Sequence, residues 1–106
     1  MASNLSTVEY ISEQIESAGV VRYKKMFGEY MIYCDEKPVF LLCDDMLFVK
    51  ILPQTEALLG VDGEKAPPYS GAKPHFVVPD IDNGELLVSL ASVLAKILPL
   101  PAKKKK

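Results

Sequence analysis

A chain of 106 residues, 49% hydrophobic and 25% charged, holds enough apolar material for one packed core and not for two. No apolar run approaches the roughly 20 residues that cross a bilayer, and the start MASNLSTVEY lacks the basic and apolar stretches of a signal peptide, so a cytoplasmic location is expected. Lys103, Lys104, Lys105 and Lys106 hold four of the twelve basic residues; without them eight face fourteen acidic ones, and this body of −6 repels phosphate backbones unless a local basic patch overrides it.

Ser6-Thr7-Val8-Glu9 reads as a capping box, with serine at the N-cap and glutamate three residues on. Leu5, Val8, Ile11 and Ile15 recur at helical spacing, and Gly19 supplies a stop, which predicts a helix over about residues 6–18. From Val20 the period changes to two. Val21, Tyr23 and Lys25 share one strand face, and Arg22, Lys24 and Met26 the other. Gly28 breaks the run, after which Tyr30, Ile32 and Cys34 alternate in a second strand. Asp35-Glu36-Lys37 makes a turn, and Pro38 opens a third strand where its missing N–H does least harm. Val39 to Cys43 is apolar at every position, which predicts a central strand covered on both faces. Asp44-Asp45 turns tightly into a fourth strand, Met46 to Ile51, with Leu47, Val49 and Ile51 on one face.

Pro53 suits the first turn of a short helix that Gly60 ends. Residues 61–74 hold three prolines with Gly63, Ser70 and Gly71, and read as one long loop. His75 to Val78 is a fifth strand. Asp82-Asn83-Gly84-Glu85 repeats the capping logic ahead of an amphipathic helix from Leu86, with Lys96 in its last turn and Pro99 and Pro101 as its stop. The order α-β-β-β-β-α-β-α, with short turns between consecutive strands, predicts an α+β two-layer sandwich. Its sheet is five-stranded and mostly antiparallel, with helices packed on one face. Residues 1–100 are expected to form one domain and residues 101–106 a disordered lysine-rich tail.

The residues offer little chemistry. Cys34 and Cys43 lie on adjacent strands of one hairpin. The expected register sets Cys34 opposite Pro38 or Val39 and Cys43 opposite Tyr30, too far apart along the ladder for a disulfide. Free buried thiols suit a reducing compartment. A catalytic triad or dyad would have to use His75, the one histidine, which sits in a strand with no ligands or acids clustered near it. Asp44-Asp45 and Asp80-Ile81-Asp82 fit a turn and a helix cap better than acid–base or metal chemistry. Pro68-Tyr69-Ser70-Gly71-Ala72-Lys73 resembles half of a phosphate loop but lacks the full glycine-lysine-hydroxyl pattern. No catalytic, cofactor or metal site is expected.

Two surfaces are candidates for interaction. Gly28, Glu29 and Tyr30 form a corner that reads either as a recognition site or as a purely structural bend. Tyr69, Gly71 and Lys73 belong to the long loop, which reads either as a partner-binding loop or as a proline-stiffened connection. Arg22 and Lys24 share a strand face and, with Lys103 to Lys106, are the candidate nucleic-acid contacts.

Several of these motifs carry a resemblance. They are Met26-Phe27-Gly28-Glu29-Tyr30, the tyrosine-rich strand after it, the turns at 34–37 and 44–45, and Leu47-Phe48-Val49-Lys50. Pro67-Pro68-Tyr69-Ser70-Gly71-Ala72-Lys73 and the proline-then-lysine C-terminus complete them. In this order the chain resembles the N-terminal domain of the TfoX/Sxy family over nearly its whole length. The resemblance implies helices against an antiparallel sheet. Named members of the family are positive regulators of natural competence, act with the cyclic-AMP receptor protein, and carry a second, C-terminal domain without a counterpart in these residues. It therefore implies a non-enzymatic regulatory or protein-interaction module with a protein partner and no cofactor. The alternative is a nucleic-acid-associated transcriptional co-regulator with a weak, tail-assisted DNA contact. An unpaired edge strand or helix face also leaves a homodimer open.

Overall fold

The structure, a computed structural model, describes residues 5–26 and 29–98. Gly28, Pro99, Pro101 and the lysines of the tail lie outside the described residues. Leu5–Gln14 forms α1, and a 3₁₀ turn over Glu16–Ala18 follows. Ser6 lies within the helix, so it is not the expected N-cap. The α-helix also ends sooner than expected. After Gln14 the backbone changes to i→i−3 bonds, with the Ala18 N–H donating to the Ile15 carbonyl at 2.9 Å. Gly19 is required by proximity: a Cβ there would stand 2.7 Å from the Asp35 carboxylate, which accepts from the Val20 N–H at 2.9 Å.

The strands are β1 (Val21–Met26), β2 (Glu29–Cys34), β3 (Lys37–Cys43), β4 (Met46–Val49), β5 (Lys65–Ala66) and β6 (His75–Val77). Two further helices are α2 (Pro53–Leu59) and α3 (Gly84–Ile97). The sheet runs β1-β2-β3-β4-β6-β5, with every neighbouring pair antiparallel. It has six strands rather than the expected five. The addition is β5, inside the stretch read as loop. Two residues are too few to display an alternating pattern, and Ala66 pairs with His75 only once the chain has folded back.

Both central hairpins close through two residues at positive φ: Asp35 (52°) with Glu36 (68°), and Asp44 (56°) with Asp45 (58°). This left-handed pair matches the twist of the strands it joins. Aspartate tolerates the conformation, whereas glutamate does so poorly. Glu36 is held there by Arg22, whose Nε and Nη2 both donate to its carboxylate at 2.9–3.2 Å. The first turn is thus Asp35-Glu36, and Lys37 already belongs to β3.

A bulge then shifts the ladder. Tyr33 pairs with Pro38 but Ile32 pairs with Phe40, so Val39 is the extra residue. Two expected positions change as a result. Cys34 faces Lys37 rather than Pro38 or Val39, and Tyr30 faces Leu42 rather than Cys43.

The helices cover one face of the sheet. There Tyr30, Ile32, Cys34, Phe40, Leu42, Leu47 and Phe76 form one core with Val8, Ile11 and Ile15 and with Leu87, Leu90 and Leu94 of α3. The bulge lets the consecutive residues Val39 and Phe40 both join that core. Cys43, Phe48 and Val77 make a separate small cluster, and no helical residue packs against it among the described residues. At the far end of α3, the Lys37 ammonium donates to the Ala95 carbonyl at 2.6 Å, placing a cation at the negative end of the helix. Its near end is capped by Asn83, whose Oδ1 accepts from the Leu86 N–H at 3.1 Å. Asp82 accepts instead from the Tyr10 hydroxyl. Among the described residues, no helix is long and apolar enough to cross a membrane.

The fourth strand stops at Val49, short of the expected Ile51. Thr55, fully buried, intercepts the backbone. Its hydroxyl accepts from the Leu52 N–H at 2.9 Å and has the Lys50 carbonyl at 2.7 Å and the Leu52 carbonyl at 3.0 Å as acceptors. Thr55→Val keeps the shape and removes these bonds. It is expected to cost about 1–3 kcal/mol in urea denaturation, and more than Thr55→Ser, which retains the hydroxyl. Equal losses from the two substitutions would mean that the hydroxyl does not hold this turn.

Candidate interaction surface

At the corner, the structure separates the candidate residues. Tyr30 is only 5% exposed and lies in the main core, with its ring edge-on to Tyr23 at 5.7 Å between centroids. Glu29 accepts from the Asp44 N–H at 3.0 Å, tying β2 to the turn between β3 and β4. Gly28 lies outside the described residues. Burial of Tyr30 follows from the strand alternation that also buries Ile32 and Cys34.

In the long loop, Tyr69 is 62% exposed, and Gly71 and Lys73 are exposed. Gly71 takes φ +88°, a conformation that favours glycine, beside a turn in which the Ala72 N–H donates to the Tyr69 carbonyl at 3.0 Å. The backbone of Lys73 also meets the His75 ring, with its carbonyl 2.9 Å from Nδ1.

Arg22 and Lys24 do share a face of β1, since alternate residues point the same way. Only one is an open cation. Arg22 is spoken for by the bidentate pair with Glu36, and its guanidinium lies 4.3 Å from the centre of the Tyr33 ring. Its charge is largely offset by that carboxylate. Nothing in the sequence announces the pair, which joins residues fourteen apart across two strands. Lys103 to Lys106 lie outside the described residues.

The arrangement brings no reactive set together. Cys34 and Cys43 are both free and buried, on opposite faces of the sheet. Burial pushes the Cys43 thiol up to about 11, with the charges of Glu29 and Asp44 adding to the effect. Burial also raises Cys34, with Asp35 adding and Lys37 opposing. His75 and Cys43 stand on opposite sides of the Leu41–Phe48–Val77 register line, one residue pair towards each end of the strands. Asp80 accepts from the Asp82 N–H at 2.9 Å in a local turn. No group of three or more metal-ligating side chains occurs among the described residues.

What the sequence reading missed is a row of side chains on the helix-free face. Lys24, Met31, Leu41, Phe48 and Val77 follow one another in register across β1, β2, β3, β4 and β6. Phe48 and Val77 are buried, Met31 and Leu41 half-buried, and Lys24 exposed. The signal was present in Val39 to Cys43, apolar at every position, but it reads as a strand covered on both sides. Instead, a depression of about 260 Å³ opens over Met31, Leu41 and Phe48, with Lys50 and His75 also on its lining.

The raised thiol values set an expectation for labelling. A folded-state value above the unfolded one keeps both thiols protonated at neutral pH, where thiolate is the reactive form. Native protein at pH 7–8 is expected to react slowly with a thiol-specific disulfide reagent, and unfolded protein to release two equivalents at once. Cys43 reactivity in the Cys34→Ala variant should climb only as pH rises towards 11. Rapid labelling of that variant at pH 7 would contradict the burial of Cys43.

The family model described as the TfoX N-terminal domain matches residues 13–92 of this chain. The chain is also 33% identical over 106 residues to an uncharacterized 12.7 kDa protein in the trpE 5' region of Spirochaeta aurantia, an alignment that covers 99% of this chain and 91% of that protein. The matched span runs from α1 into α3 and includes all six strands. With this architecture and this match in hand, the chain belongs to the TfoX N-terminal domain family.

Proposed function

We propose that this chain is a non-enzymatic regulatory module that acts in the cytoplasm by binding another protein. The observation that carries the reading is the helix-free face of the sheet. Met31 and Leu41 are only half-buried there, although they continue a row whose other apolar members are buried. Half-buried apolar side chains set around a depression are the material of a protein–protein contact, which gains by removing them from water. Membership of the TfoX N-terminal domain family agrees with a regulatory role.

The chemistry points the same way. A nucleophilic cysteine needs a lowered pKa, and both cysteines here are shifted upward. Arg22, paired with Glu36, weakens a DNA footprint built on β1.

The test places a photo-reactive amino acid at Met31 in cells that express the full chain. The expected result is a discrete covalent adduct with one protein, which also co-purifies with the unmodified chain and binds it when both are pure. Absence of any adduct from Met31 or Tyr69, together with turnover of a substrate by the purified chain alone, would overturn the reading.

A further inference from the structure

We infer that the helix-free face binds a partner segment in which apolar side chains stand beside carboxylates. The inference rests on the protein-binding reading above and names the surface and the chemistry of what it takes.

The floor of the site is apolar. Met31, Pro38, Leu41 and Phe48 line the depression, and its 260 Å³ is below the roughly 300–1,000 Å³ of a small-molecule pocket. It suits a side chain or two of a larger partner rather than a whole small ligand. The rim is basic. Lys24 ends the register row on one side, while Lys50 and His75 line the depression on the other. Among the described residues neither Lys24 nor Lys50 enters an ion pair.

The other described cations are committed elsewhere or face elsewhere. Arg22 is paired with Glu36, Lys37 donates to the Ala95 carbonyl, and Lys65 donates to the Val61 and Gly63 carbonyls. Lys25 belongs to the helix-covered side of β1, in register with Tyr30. The chain before its terminal lysines has eight basic and fourteen acidic residues. An anionic segment is therefore drawn to this face and repelled by most of the remaining surface, which sets both approach and orientation.

A nucleic acid fits the face less well. Single strands bind by stacking bases on open aromatic rings beside a basic track. Here Phe48 is buried and the Tyr33 ring is covered by the Arg22 guanidinium.

The test is a heteronuclear NMR titration of the full chain with three probes: a soluble peptide of leucine, glutamate and aspartate, its counterpart with lysine in place of the acids, and a single-stranded oligothymidine. The acidic peptide is expected to move the amides of Met31, Leu41, Lys50 and His75. The double variant Lys24→Glu, Lys50→Glu is expected to bind it about tenfold more weakly, as two contacts at the rim change from attractive to repulsive. The lysine peptide is expected to leave those amides in place.

Equal binding of the two peptides, shifts confined to other surfaces, or no binding at all would overturn the inference. So would an oligothymidine that moves these same amides more strongly, which would make the face a nucleic-acid site. Shifts that track protein concentration without any probe would make it a contact between two copies. The broader reading fails separately. A cellular partner still captured by the double variant would leave the protein-binding module standing and remove only this surface. No captured partner for the unaltered chain would remove both.

Discussion

Everything in this fold depends on the alternation of β2 and β3 and on the bulge that interrupts it. A strand sends successive side chains to opposite faces, so each apolar residue commits its neighbour to the other side. The two positive-φ turns at 35–36 and 44–45 lock the hairpins in one register. Val39 then slips the ladder by one residue and brings Phe40 into line with Ile32. The helix-covered face thereby receives Tyr30, Ile32, Phe40 and Leu42, while Met31, Leu41 and Cys43 are left for the other. Three helices cover one face only, and the composition provides no second layer for the opposite one. The open row is the direct consequence.

Features that act on the local backbone were legible in the sequence. Pro53 and Gly60 bracket α2 as read, with the Gly60 N–H closing on the Glu56 carbonyl at 2.7 Å. The aspartate pairs marked both hairpin turns, and the buried stripe of β2 followed from its period. The α+β sandwich with helices on one face followed from these elements.

Features that depend on distant partners were not legible. Ser6 carries a capping signature, yet the helix has already begun before it. Two-residue β5 exists only because β6 lies beside it. The bulge at Val39 displaced the expected cysteine positions, since nothing in an unbroken apolar run marks which residue will be extra. Arg22 looked like an available cation because Glu36 reaches it only after the turn folds back. Tyr30 looked available because it follows a glycine corner, although the same alternation that buries Ile32 buries it too. The open row escaped notice for a related reason: whether a second face is covered depends on how many helices remain to cover it.

The account therefore rests on a difference between two adjacent residues. Leu42 is fully buried under the helices, and Leu41, next to it on β3, is half-buried on the open face. The most direct measurement is the unfolding free energy of Leu42→Ala against Leu41→Ala in denaturant. Leu42→Ala is expected to cost about 2–5 kcal/mol, as for a leucine removed from a close-packed core, and Leu41→Ala about 1 kcal/mol. Equal large losses would place Leu41 in a second sealed core and contradict an open binding face.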